Sequence, residues 1–278
     1  MFIAACDSNG PNDKLQPLRN KIVFISDRDG YPQLYVMNTD GTGVKLLPAT
    51  QPGSVGLPAV SPNGRQIAFV LNGDIWLMNA DATGQVNLTN NPAYEGYPSW
   101  SPDGRRLAFS SDRDGNTEIY VMNTDGSGLV NITNNPAYDA GYSWSPDGTK
   151  ILFTTDRDGN TELYSINANG SNPTNLTNTP EPDGPGVYSH DGLKIAFVSG
   201  RDQVADRVYV MTSDGSNLLL NVPEAPAGVF PAWSPDDSRI TFIGGSTNAE
   251  IIVMLPDGTQ QTNLTNNPAD DRYPSWSP

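Results

Sequence analysis

One short element, SWSPDG, recurs along this chain in altered forms, and its spacing limits the fold more than any other feature. Aligned on its aromatic position, Val60, Trp100, Trp144, Tyr188, Trp233 and Trp276 form one column, separated by 40, 44, 44, 45 and 43 residues. No helix-period amphipathic pattern fills these intervals, which argues against a helical solenoid. Strand signals do fill them. In the third unit the pattern predicts strands over Tyr97–Ser101, Arg106–Ser111, Glu118–Asn123 and Leu129–Thr133. Between them lie SPDG, DRDGN and TDGSG, where Pro pre-sets φ, Asp bonds its own backbone and Gly accepts positive φ. Four short strands in each 40–45-residue repeat is the signature of a propeller blade.

The second and third strands are apolar on both faces, as in IAFV at Ile67–Val70 and IYVM at Ile119–Met122. A sheet packed between two neighbouring sheets requires this. Pro98, Pro231 and Pro274 fall in the first strand, and proline lacks the N–H that a central strand needs. That strand is therefore expected at the inner edge, facing the axial channel. The sequence enters a second strand at Lys21 (KIVFIS) and reaches a first strand at Tyr273–Ser277. The predicted fold is all-β: a six-bladed propeller of four-stranded antiparallel blades, in which the C-terminal strand completes the first blade and leaves no open sheet edge. Residues 1–20 read as a leader and tether, and 21–278 as the propeller.

The 278 residues carry 16 Lys+Arg against 31 Asp+Glu, a formal net charge of −15. Such a surface repels phosphate backbones and excludes nucleic acid as the expected partner. No apolar run approaches the ~20 residues of a membrane span.

Catalytic motifs are absent: there is no G-x-S-x-G, H-E-x-x-H or G-x-x-x-x-G-K. His190, the single histidine, stands where other units have the proline of SPDG. It is either a general base or a drifted turn residue. The second reading is preferred, because a catalytic histidine needs an orienting partner and a nucleophile in reach. In DRDGN, Asp112, Asp114, Asn116 and Glu118 alternate as calcium ligands can, but the Gly is fourth rather than sixth as in an EF-hand loop. A hairpin turn whose Arg113 and Arg157 pair with nearby carboxylates is the simpler reading. The Asn-Leu/Ile-Thr triplets at Asn87, Asn131, Asn175 and Asn263 are read as outer-strand residues.

Five residues before the aromatic column stand Val55, Glu95, Asp139, Asp183, Gly228 and Asp271. Four of six units thus place a carboxylate at one equivalent spot. From the strand directions, Glu95, Asp139, Asp183 and Asp271 are expected to ring one mouth of the channel, with Tyr94, Tyr138, Tyr97 and Tyr273 beside them as contact surface. The ring is too wide for one bare Ca²⁺, whose bonds are about 2.3–2.6 Å. A hydrated Ca²⁺ or an inserted basic side chain fits better, and a solvated acidic rim is the plain alternative.

PSWSPDGRRLAFSSDRDGNTEIYVMNTDGSG resembles the WD40-like repeat of the TolB-type propellers of bacterial envelopes, and the resemblance runs from about Lys21 to Pro278. True WD40 repeats differ: there is no Trp-Asp pair, and one histidine cannot supply a Gly-His element in each blade. The resemblance implies a non-catalytic, monomeric binding propeller outside the cytoplasm, with a partner such as a peptidoglycan-associated lipoprotein. Roles of the N-terminal α/β domain of TolB, TolA contact included, are not carried over, because only about twenty residues precede the propeller here. The alternative is a carbohydrate-binding or calcium-assisted carbohydrate-active propeller. Related uronate lyases rely on several histidines, and lactonase-like propellers on acidic and amide inner-strand ligands, neither of which this chain offers.

Ile3-Ala4-Ala5-Cys6 resembles the lipobox of bacterial lipoproteins, and the polar DSNGPNDKLQPLRN after it suits a flexible tether. A full signal needs a basic and an apolar segment before the small residues, and five residues precede Cys6. An incidental free thiol is the other reading. Anchoring at Cys6 predicts a diacylglycerol-modified N-terminal cysteine, detected by mass spectrometry of native protein extracted from membranes. An unmodified Cys6 in the soluble fraction would contradict it.

Overall fold

The computed structural model describes residues 16–49, 53–203, 205–220, 228–245 and 247–278. Cys6 and the proposed tether up to residue 15 lie outside them. The described residues form six four-stranded antiparallel sheets arranged as a propeller. Among them, no helix is long and apolar enough to cross a membrane. Blade 1 is completed by Asp271–Trp276, which pairs antiparallel with Lys21–Ser26. The joint is fastened beyond the ladder, where Ser277 N–H donates to the Lys21 carbonyl at 2.9 Å and Asn20 N–H to the Pro278 carbonyl at 3.0 Å. Blades 2 to 6 begin with inner strands at Val55, Glu95, Asp139, Asp183 and Val229.

The both-face apolar pattern of the second strands produces the core. Phe24, Phe69, Phe109, Phe153, Phe197 and Phe242, one per blade, are fully buried. Burying each phenyl stabilises by roughly 1.5–3 kcal/mol. The aromatic column joins blades to each other. The Trp100 indole N–H donates to the Ala59 carbonyl of blade 2 at 3.0 Å, Trp144 to Ser99 of blade 3 at 3.3 Å, and Trp233 to Val187 of blade 5 at 3.2 Å. Where the column departs from Trp, backbone serves instead: Val60 N–H donates to Ser275 Oγ at 3.0 Å.

The inner strands are not regular. Each skips register over a stretch that includes its third residue, and in blade 3 Tyr97 and Pro98 together oppose Phe109. This is a β-bulge, and it lets Pro98 sit in the sheet without removing a ladder bond. The bulge residue adopts positive φ in five blades: Leu57 at 50°, Tyr97 at 54°, Gly141 at 62°, Phe230 at 55° and Tyr273 at 56°. For the four non-glycine residues this costs on the order of 1–2 kcal/mol each.

The expected outer strand Leu129–Thr133 shortens to Val130–Asn131. Asn131 ends it by accepting from the N–H groups of Thr133 and Asn134, and Thr133 Oγ1 accepts from Ile119 N–H. The Asn-x-Thr triplet is thus a strand stop. The inner strand begins at Glu95, two residues before the predicted Tyr97, because the segment before the bulge also pairs.

The DRDG turns lie on one face of the ring, and the SPDG-type and TDGSG-type turns on the other, here called the SPDG face. Nine aspartates there, at 40, 81, 103, 125, 147, 191, 214, 236 and 257, are held below the usual carboxylate range, chiefly by a neighbouring Ser or Thr hydroxyl and also by backbone N–H groups. Asp214 and Asp236 fall to about 2. A depressed folded pKa contributes stability above the unfolded value of 3.8, and that stability is lost as pH falls through the folded value. Asp139, raised by burial, works in the opposite sense, but it is one group. Calorimetric Tm should therefore hold down to about pH 5 and drop progressively toward pH 2; a Tm unchanged at pH 2 would show that these turns contribute nothing.

Candidate functional site

The four repeat carboxylates lie at the start of their inner strands, as the alignment places them, but they are not a rim. Glu95, Asp139, Asp183 and Asp271 are all 0% exposed. Each is paired with the arginine of the DRDG-type turn in its own blade: Arg28 to Asp271 at 2.9 Å, Arg157 to Asp139 at 3.1 Å, Arg201 to Asp183 at 3.1 Å, and Arg113 to Glu95. The solvated acidic mouth is corrected by this burial: carboxylates withdrawn from water require a charged partner, and the arginines supply it. The hydrated-calcium expectation meets the same obstacle. Among the described residues no group of three or more His, Cys, Asp or Glu converges as a metal site.

Four of the five positions of DRDGN make contacts that hold the blade together. The first Asp holds the chain ahead of the inner strand: Asp112 Oδ1 accepts from Tyr94 N–H at 2.8 Å, and Asp156 Oδ1 from Tyr138 N–H at 2.9 Å. The Arg lies over two aromatic rings, as Arg157 does over Phe153 at 5.2 Å and Tyr164 at 5.0 Å, a favourable cation–π geometry. Its Nε–H donates to the last residue of the second strand, as in Arg157 to Thr155 Oγ1 at 3.0 Å. The second Asp accepts from the tyrosine hydroxyl, Tyr120 to Asp114 and Tyr164 to Asp158. The Asn spans the connection to the next blade: Asn116 Nδ2 donates to the carbonyls of Asn135 at 2.8 Å and Ala137 at 2.9 Å.

Blade 2 has Val55 in place of the acid and the turn Asn72-Gly73 in place of DRDG; blade 6 has Gly228 and Gly244-Gly245. The two blades without the acid are also the two without the arginine. This covariation within one sequence, with acid and arginine eighteen residues apart in blades 3, 4 and 5, was the available signal that the acids are structural.

The tyrosines remain accessible. Tyr94 is 54% exposed and Tyr138 51%, on adjacent blades at the face bearing the DRDG turns. The Tyr94 ring lies against Gly96 and Gly73, where a Cβ would come within 3.1 and 3.6 Å of it. Tyr97 and Tyr273 sit deeper, at the strained bulges. Tyr97 of blade 3 stacks on Phe230 of the opposite blade 6, ring centroids 6.2 Å apart, and Phe230 meets Tyr273 edge-on at 4.9 Å. These rings meet across the axis and plug the channel. Burial, then the neighbouring phenols of Tyr273, Tyr138 and Tyr94, push Tyr97 up to about 12. Sequence reasoning missed Phe230 and the plug, because nothing in a Leu, Tyr or Phe announces positive φ.

On the SPDG side of the plug the channel is open. An inner chamber of about 230 Å³ is lined by the bulge residues, with Gly141 and Pro185 leaving room on one side. It continues into a wider funnel of about 460 Å³, walled by the turn column Pro62, Pro102, Pro146, His190, Pro235 and Pro278. His190 lines both. Its Nδ1 lies 3.0 Å from Asp237 Oδ1.

Comparison with known proteins agrees with this architecture. A profile of the Tricorn protease N-terminal beta propeller domain matches residues 52–162, about two fifths of the chain. No curated protein matches. Among solved structures, TolB from Acinetobacter baumannii superposes with a TM-score of 0.79 at 24% identity, covering 93% of this chain and 67% of that one. A protein described as TolB from Agrobacterium tumefaciens gives 0.75 at 21%, covering 92% and 93%. The oligogalacturonate lyase of Vibrio parahaemolyticus gives 0.64 at 15%, covering 88% and 74%. The chain has the TolB-type six-bladed propeller fold.

The buried pair carries a direct test. Asp139→Ala leaves the Arg157 guanidinium without its charge partner and should cost about 3–5 kcal/mol in urea unfolding. Asp139→Val with Arg157→Leu, the acid-free and arginine-free state that blade 2 already has, should recover a large part of that loss. Equal losses in single and double variants would mean the two side chains are not coupled.

Proposed function

We propose that this chain is a non-catalytic binding propeller that holds a protein or peptide partner against its tyrosine-bearing face. The observation that carries this reading is the pair of half-exposed tyrosines, Tyr94 and Tyr138, on adjacent blades beside an axial aromatic plug. Aromatic rings on a rigid backbone are the side chains that dominate interface energetics. The backbone of each is fixed by an aspartate of the DRDG turn, and Tyr94 lies on glycine. Little ordering remains to be done on binding, which favours affinity. Glu95, Asp139, Asp183 and Asp271 act in this reading as positioning residues that fix where the tyrosine-bearing segments enter the blades.

The resemblance to TolB supports an extracytoplasmic setting and an envelope partner of the peptidoglycan-associated lipoprotein kind, and the lipobox-like Ile3-Ala4-Ala5-Cys6 supports Cys6 as the point of lipid attachment. A second reading, a carbohydrate-binding propeller, is favoured by the accessible aromatic rings and by the structural likeness to a lyase. Glycan arrays with and without EDTA test it.

The protein-binding reading predicts that Tyr94→Ser with Tyr138→Ser weakens partner binding at least about tenfold. The measurement is capture from solubilised envelope followed by titration of the purified partner. Leu193→Ser, at a residue 65% exposed on the opposite face, is the matched control and should bind as the wild type does. Equal binding by all three proteins would remove the tyrosine face from consideration.

A further inference from the structure

Two departures from the SPDG turn stand 47 residues apart in sequence and touch in space. His190 replaces proline in blade 5, and Asp237 replaces glycine in blade 6. Asp237 keeps the glycine-like conformation, φ 57°, which is strained for an L-residue. Its carboxylate accepts from His190 N–H at 2.8 Å, from Asp191 N–H at 2.8 Å and from the His190 ring at 3.0 Å. Proline at 190 could not offer the first of these bonds, so each substitution makes use of the other. Because a carboxylate only accepts, the proton of the neutral ring lies on Nδ1 and Nε2 is left as an acceptor.

The pair differs from the buried arginine pairs in what it leaves exposed. The His190 side chain is 54% exposed and lines both the inner chamber and the funnel, and no described residue bonds to its Nε2. The same two positions are proline and glycine in the SPDG turns of blades 3 and 4. The pair ties the turns of blades 5 and 6 together through an Asp237 side chain that is 19% exposed, and beyond that it adds one oriented acceptor at the rim of an otherwise proline-walled cavity.

We propose that the SPDG-side channel is a binding site for an amine with an apolar body, and that His190 Nε2 accepts a hydrogen bond from its ammonium group. The inner chamber of about 230 Å³ is the size of one large side chain. Its floor is the aromatic cluster of Tyr97, Phe230 and Tyr273, suited to an apolar group and, through its ring faces, to a nearby cation. Asp237, whose carboxylate bonds the His190 ring, adds negative charge next to that acceptor. With a net charge of −15, the protein favours a cation there. A small aromatic amine and a peptide N-terminus share this chemistry.

Isothermal titration distinguishes the sources, using phenethylamine, a short peptide with N-terminal Phe, and the same peptide acetylated. Saturable binding of phenethylamine alone identifies a small-molecule site. Binding of the free-amine peptide identifies a chain terminus. The variant His190→Pro with Asp237→Gly restores the repeat turn in both blades, so it should fold with an unchanged or higher Tm. It should bind about tenfold or more weakly, as loss of a hydrogen bond to a charged group implies. No binding of either amine to the wild type, equal binding of the acetylated peptide, or undiminished binding by the double variant would each overturn the proposal.

Discussion

The interaction on which the rest of this propeller depends is the arginine of the DRDG turn. In four blades it brings together three parts that the chain separates: the second-to-third strand turn, the aromatic pair of the blade core, and the first residue of the inner strand. A guanidinium and a carboxylate withdrawn from water cannot be retained singly, since an unpartnered buried charge costs several kcal/mol. That explains why blades 2 and 6 lack both members together. A buried ion pair is weak evidence for net stability, because apolar replacement is often neutral. Its value here is geometric, in that it fixes where each inner strand begins.

What faces the axis is set two residues further on. There, after the acid in blades 1 and 3 and after Val55 and Gly228 in blades 2 and 6, the bulge turns Tyr273, Tyr97, Leu57 and Phe230 inward at positive φ. Strain of this kind persists only where the surroundings over-determine it. The ladder before the bulge, the proline after it and the inter-blade tryptophan two residues later do so. The outcome is a channel with two unlike ends. The DRDG side is closed by stacked rings and presents Tyr94 and Tyr138 outward; the SPDG side opens into a proline-walled funnel.

Most of the fold was legible in the sequence because the repeat states it six times. The aromatic column, the both-face apolar strands and the tail complementary to Lys21 fixed blade number, strand order and closure. The candidate site was half legible. Alignment found the right positions for Glu95, Asp139, Asp183 and Asp271, but their burial depends on an arginine elsewhere in the same blade, eighteen residues on for the first three and across the ring closure, at Arg28, for Asp271. The arginine reading of DRDGN and the acidic-rim reading used the same carboxylates, and only one could hold. The bulge was less accessible still, since Leu, Tyr and Phe are poor candidates for positive φ and only the following proline hints at a break.

His190 shows how far a column-by-column reading can go. Alone, a histidine at a turn position looks like drift, and the objection that it lacked an orienting partner was sound as far as the sequence could show. The partner is Asp237, in the corresponding turn of the next blade, and it is visible only once the blades are known to contact turn to turn. In a repeat protein the positions that never change are architecture. Positions that change together and bury the result, as the arginine–acid pair does, are an alternative architecture. The two departures at His190 and Asp237 do two things: their hydrogen bonds join the turns of blades 5 and 6, and they leave one polar atom of the His190 ring facing a cavity, which the joining of the turns does not require and a ligand can use.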